Sequence, residues 1–194
     1  MSERRRRAGR ALIGAALAVL ALALTACGAA EPAVAEQRVL VITDERGGDA
    51  GSAWYDLVRR EPGLQAQIDA VAGSGYLTAS PSSVADRAAA AGGQFDAVVL
   101  ALGGNDVTTT LPTEVREALV RDAMSASARY APRVIVLPPF GVTAADLDAW
   151  DETLRTAATQ TGATFTPIDL PAGSEAAAQA SAIAAAVVLA VRAP

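Results

Sequence analysis

The sequence predicts an α/β fold: a three-layer, doubly wound sheet of five parallel strands. Two observations predict it. Short apolar runs, such as VLVIT (39–43), AVVLAL (97–102) and RVIVL (133–137), alternate with stretches of helical length, the pattern of repeated βαβ units. Those runs are apolar at successive positions rather than at every second one, as strands covered on both faces must be. No internal repeat and no second composition regime follow Arg38, so residues 38–194 read as one domain.

The elements follow in order. Val39 to Thr43 is the first strand and Ser52 to Arg60 a short helix. Gln67 to Ala72 is a weaker strand, diluted by polar residues. Pro81 to Ala91 is an Ala-rich helix, with Ser80 placed to cap it. Ala97 to Leu102 is the third strand. Pro112 to Tyr130 is a long helix with Pro in its first turn, where a missing N–H does no harm. Arg133 to Leu137 is a strand stopped by Pro138-Pro139. Thr143 to Thr161 is a helix: Thr143 and Asp146 have capping-box spacing, and Gly162 suits the residue after its end. Ala163 to Ile168 is the last strand. Ser174 to Arg192 closes the chain as a helix, whose Glu175, Gln179 and Ser181 fit a core-packed element better than a membrane span.

The N-terminus reads differently. Met1 to Arg10 carries five Arg and one Glu, and Ala11 to Ala23 is apolar and uncharged. A basic segment, a short apolar segment and small residues before a cut site form a secretory signal. The run falls short of the roughly 20 residues a spanning helix needs. Leu24-Thr25-Ala26-Cys27 resembles a bacterial lipobox, in which the Cys is lipidated and becomes the mature N-terminus. Cys27 is the only Cys in the chain. An uncleaved anchor and an ordinary secretory signal remain alternatives, and Arg4 to Arg7 leaves the export route open between Sec and twin-Arg. The organisation expected is a signal over 1–26, a tether over 27–37 and a domain over 38–194, held by lipid on the extracytoplasmic face of the cell membrane.

Composition excludes several kinds of chemistry. The 194 residues contain 16 Arg, no Lys and no His. One Cys allows no disulfide framework and no Cys-based zinc site. Without His there is no Ser-His or Cys-His pair. Cleavage before Cys27 leaves 11 Arg against 20 acidic residues, a formal charge of −9. Phosphate backbones repel such a domain, so nucleic acid is not expected as a partner, and neither is adhesion to an anionic membrane by surface charge. No cofactor is called for. The acidic stretch Asp146, Asp148, Asp151 and Glu152 lies at helical spacing with Leu147, Trp150 and Leu154, and reads as a solvated face rather than a metal loop. Trp54, Trp150, Tyr55 and Tyr76 read as packing residues. Trp54 and Tyr76 follow strand ends, which leaves open a role in stacking on a sugar ring.

In parallel sheets, ligands bind beyond the carboxyl ends of the strands. The residues there are Asp44-Glu45, Gly73-Ser74-Gly75-Tyr76, Gly103-Gly104-Asn105-Asp106, Pro138 to Gly141, and Asp169 onward. The Gly pair lets backbone N–H groups approach a ligand, and the Asn amide can donate to an anionic oxygen. Together these blocks resemble the SGNH (GDSL-type) hydrolase family. Gly103, Gly104, Asn105 and Asp106 match its Gly-x-Asn-Asp block, and Gly75 matches the Gly of its second block. The resemblance spans roughly Val39 to Arg192. It implies a flavodoxin-like sheet, an ester-hydrolase ancestry and an oxyanion cradle built by Gly75 and Asn105, flanked by Gly103 and Asp106.

Two blocks depart from the pattern. Where the family reads Gly-Asp-Ser, this chain reads Thr43-Asp44-Glu45. Asp44 is kept and Glu45 stands at the nucleophile position. A slip onto Gly48-Asp49-Ala50 supplies Ala instead. The closing Asp-x-x-His block is met by Asp169-Leu170-Pro171-Ala172, and Asp169 reads simply as the end of the last strand. The expectation is therefore a degenerate member, a non-catalytic binding or scaffolding protein for an acyl, carboxylate or glycan ligand. The alternative is an esterase in which Glu45 serves as a carboxylate nucleophile or base beside a second acid.

Overall fold

The computed structural model describes residues 36–44, 53–78, 82–140, 142–169 and 175–194. Five strands form one parallel sheet: β1 (Gln37–Thr43), β2 (Leu64–Ala70), β3 (Ala97–Ala101), β4 (Val134–Val136) and β5 (Thr164–Phe165), in the order β2-β1-β3-β4-β5. The described helices are α1 (Ala53–Arg59), α2 (Val84–Ala91), α3 (Thr113–Ser127), α4 (Ala144–Thr161) and α5 (Ala176–Arg192). The architecture matches the sequence expectation.

The apolar runs explain the layers. Leu40 and Ile42 of β1 face one core with Val84, Met124 and Leu154 of α2, α3 and α4. Their neighbours Val39 and Val41 face the other, with Trp54 and Val58 of α1 and Ile183 and Val187 of α5. Alternate residues of one strand thus feed two cores. Removing a fully buried side chain such as Leu100 would cost about 2–5 kcal/mol by leaving a cavity.

Several boundaries differ from the sequence reading, each for a local reason. β2 begins at Leu64, three residues before Gln67, because Gly63 (φ 79°) turns the chain into the strand. The Gln37 N–H then donates to Gly63 O at 2.9 Å. Ser83, not Ser80, caps α2: its Oγ accepts from Asp86 N at 3.2 Å and Asp86 answers in a capping box. Ser80 lies outside the described residues. The α3 helix ends at Ser127, and residues 128–130 continue as tighter turns, with Tyr130 N donating to Ser127 O. Thr143 caps α4 and Gly162 closes it at φ 76°, as the sequence indicates. β5 is only two residues long. Thr166 N still donates to Val136 O, but Pro167 has no N–H to continue the ladder. No helix among the described residues is long and apolar enough to cross a membrane.

Candidate functional site

Register brings the strand ends together. Thr43 pairs with Ala70 on one side and with Ala101 on the other. The segments that follow these three strands therefore leave the sheet at one level.

Hydrogen bonds tie them to one another. Asp44 is buried, and its Oδ2 accepts from Gly104 N at 3.1 Å. Asn105 Nδ2 donates to Ser74 O at 2.9 Å, which orients the amide. Gly103 sits at φ 111°, where a Cβ would lie 3.3 Å from Pro139 Cβ, so the turn requires glycine in both conformation and space. Asp44, Gly75, Gly103, Asn105 and Asp106 are thus one cluster.

Asp106 organises the loop beneath. Its buried carboxylate accepts from Tyr76 N at 2.7 Å, Leu77 N at 3.3 Å and Thr78 Oγ1 at 3.2 Å. Burial raises its pKa above the ordinary carboxylate value, and these hydrogen bonds pull the other way. Gly75 packs directly on this carboxylate: a Cβ there would lie 2.5 Å from Asp106 Cγ. Its lack of a side chain is a packing requirement of the Asp106 clamp.

Arg87 is a member that sequence reasoning missed. Its buried guanidinium donates to Thr43 O (2.8 Å), Ser74 Oγ (2.8 Å), Asp69 Oδ2 (2.9 Å) and Asp69 O (2.7 Å). It joins the ends of β1 and β2 to the Ser74 turn. The signal was present: Val84, Arg87, Ala88 and Ala91 share one helical face, and an Arg on an otherwise apolar stripe needs a buried acceptor.

Other expectations need correction. Trp54 is fully buried and Tyr76 is 7% exposed, so neither offers a ring face to a sugar. Tyr76 instead stacks on Trp150, centroids 6.2 Å apart. Its hydroxyl is buried without a hydrogen-bond partner, and burial, then the Asp106 and Asp44 charges, hold its pKa well above the usual phenol value. Asp169 is exposed and stands beyond β5, so it does not end that strand. Asp151 is not simply solvated: its Oδ1 is buried and unpartnered, and burial raises its pKa. Cys27, Glu45, Gly48, Asp49, Ala50, Ser52, Pro171 and Ala172 lie outside the described residues. Among those described, no three His, Cys, Asp or Glu gather to hold a metal.

No protein-family profile matches the chain, and no curated protein does. Solved structures do. An alpha/beta hydrolase from the metagenome of Lake Arreo, Spain, is similar with a TM-score of 0.62 at 17% identity, over 81% of this chain and 96% of that one. A catalytic mutant of an acetylxylan esterase from Geobacillus stearothermophilus is similar with a TM-score of 0.58 at 14% identity, over 84% and 97%. A protein of the G-D-S-L family from Desulfitobacterium hafniense is similar with a TM-score of 0.54 at 13% identity, over 68% and 77%. The fold of this chain is that of the SGNH/GDSL-type hydrolases.

Proposed function

We propose that this chain is a degenerate SGNH-type protein, held at the extracytoplasmic face of a cell membrane by lipid on Cys27. It binds a small oxygen-rich ligand at the strand ends without cleaving it. The ligand class is an acyl, carboxylate or glycan oxygen, which N–H donors at strand ends recognise. One observation carries this reading: the Asn105 amide, the Gly75 turn and Asp44 form one hydrogen-bonded cradle in a chain without a single His. Removing one triad member from a serine hydrolase lowers kcat by about 10⁴ to 10⁶, and this chain has neither a His nor a Ser at the nucleophile position. Similar solved structures described as an alpha/beta hydrolase and an acetylxylan esterase support the ancestry; the absent imidazole and the Glu at the Ser position support the loss of activity.

Turnover of short p-nitrophenyl esters by the full chain tests this. The expected rate is that of buffer, unchanged by Glu45→Ala or Asn105→Ala. A rate above buffer that Glu45→Ala abolishes would establish the carboxylate-esterase alternative.

A further inference from the structure

Each described helix runs antiparallel to the strands, so helix C-termini and strand N-termini share one end of the domain. Between α1 and α5 an open groove of about 480 Å³ runs from Ser181 and Ala184 toward that end, where Leu57, Glu61, Val188 and Leu189 line it. Leu189 is 71% exposed and Leu57 41%. Arg59 ends α1, Arg60 follows it, and both pair loosely with Asp56 at 3.6 and 3.8 Å. Arg192 ends α5, paired with Glu61 at 2.7 Å and donating to Pro62 O. The exposed Arg129 follows α3 at the same end. The opposite end carries Asp86, Glu114 and Asp146 in first helical turns, with Glu175 at the N-cap of α5.

We infer that the α1–α5 groove and its arginine rim form a membrane-contact surface that lies on an anionic phospholipid bilayer. The inference rests on the lipid anchor of the proposed function. Two facts choose a bilayer over another protein as the occupant. The chain enters the domain at this end: Gln37 N bonds Gly63 O, two residues beyond groove-lining Glu61. Cys27 precedes Gln37 by ten residues, a reach of at most about 35 Å, so lipid on Cys27 would attach the domain through this end. Net charge alone opposes adhesion to an anionic surface, but the charge is unevenly placed: anionic headgroups attract the arginine end and repel the acidic end. Two leucines and a few partly paired arginines bind a free bilayer weakly. Tethering raises their effective concentration enough for weak contacts to set orientation. The strand-end cradle then faces away from the membrane, open to ligands outside it.

Site-directed spin labelling tests this on the full, lipidated chain in phosphatidylcholine vesicles containing phosphatidylglycerol. A lipidated Cys27 has no free thiol, so Leu189→Cys and, separately, Thr108→Cys each offer one labelling site. Both positions are exposed. The label at 189 is expected to be more accessible to oxygen than to a water-soluble nickel chelate, and the label at 108 the reverse. Arg59→Glu with Arg60→Glu is expected to shift the 189 label toward water. A 189 label as water-exposed as the one at 108, on a chain whose mass shows the lipid, would overturn the orientation alone. A mass showing an unmodified Cys27 would overturn the anchor and the orientation with it.

Discussion

Gly75→Ala isolates the contact on which the candidate cradle is built. Its φ is not positive, so backbone strain plays no part and only space is at issue. The added methyl would lie 2.5 Å from Asp106 Cγ. Carbon atoms pack at about 3.5–4 Å, so the carboxylate must retreat by about 1 Å. It accepts from Tyr76 N at 2.7 Å, Leu77 N at 3.3 Å and Thr78 Oγ1 at 3.2 Å. Retreat breaks the short bond and stretches the other two beyond useful range. Bonds to charged groups contribute about 1.5–3 kcal/mol each, and a buried N–H left unpaired costs a comparable amount. A loss of about 3 kcal/mol is expected, equivalent to a fall in Tm of about 6–12 °C for a domain of this size. Gly73→Ala is the control. It places an Ala at φ 70° with nothing within 4 Å, so it should cost only the left-handed strain of about 1–2 kcal/mol. Urea unfolding of both variants, and of Gly75→Ala in an Asp106→Ala background, measures the coupling. Once the carboxylate is gone, the methyl should cost about 1–3 kcal/mol less. A Gly75→Ala chain within about 0.5 kcal/mol of the parent, or strict additivity with Asp106→Ala, would refute the clamp.

Three further outcomes follow from the same geometry. Arg87→Met should destabilise by about 3–5 kcal/mol in urea, because the charge on Asp69 and the Thr43 and Ser74 oxygens lose their shared partner. Tyr76→Phe should leave stability unchanged or raise it by about 1 kcal/mol, since the hydroxyl removed is buried and unpartnered; a large loss on thermal unfolding would contradict that assignment. Burial raises the Asp106 pKa, so above about pH 4 the folded chain keeps a proton that the unfolded chain releases. That contribution is complete below the unfolded value and fades as pH rises through the folded one. Urea titrations across this range should show the decline in the parent and a flatter profile in Asp106→Asn. Asp151, shifted in the same direction, contributes equally to both chains and cancels in the comparison.

The fold was legible because its strands are buried on both faces. VLVIT and AVVLAL can satisfy two cores only inside a covered parallel sheet, and the Gly-Gly-Asn-Asp turn after the third strand marks the carboxyl end of the sheet. The edges were harder to read. Gln65, Gln67 and Asp69 make β2 polar, since an edge strand is only partly covered, and the reading slid three residues toward its apolar end. β5 looked six residues long because apolarity continues past Pro167, where hydrogen bonding cannot. In the site, Gly75 and Asn105 could be found as turn residues, but their supports could not. The Asp106 clamp on Tyr76, Leu77 and Thr78 spans about thirty residues of sequence, and the Arg87 bond to Thr43 O spans 44. Local patterns carry no record of such pairings. The aromatic residues were read correctly as packing residues: Trp54 and Tyr76 are both buried, which closes the stacking role left open for them.

A single tube can test whether the cradle binds without cleaving. The full chain, labelled with ¹⁵N, is mixed with phenyl acetate, and amide shifts and free acetate are followed together by NMR. The expected result is a shift of the Gly75 and Gly104 backbone amides and the Asn105 side-chain amide, with acetate appearing no faster than in buffer. Acetate released faster than in buffer, and returned to the buffer rate by Glu45→Ala, would contradict the loss of catalysis; unmoved amides would contradict the binding.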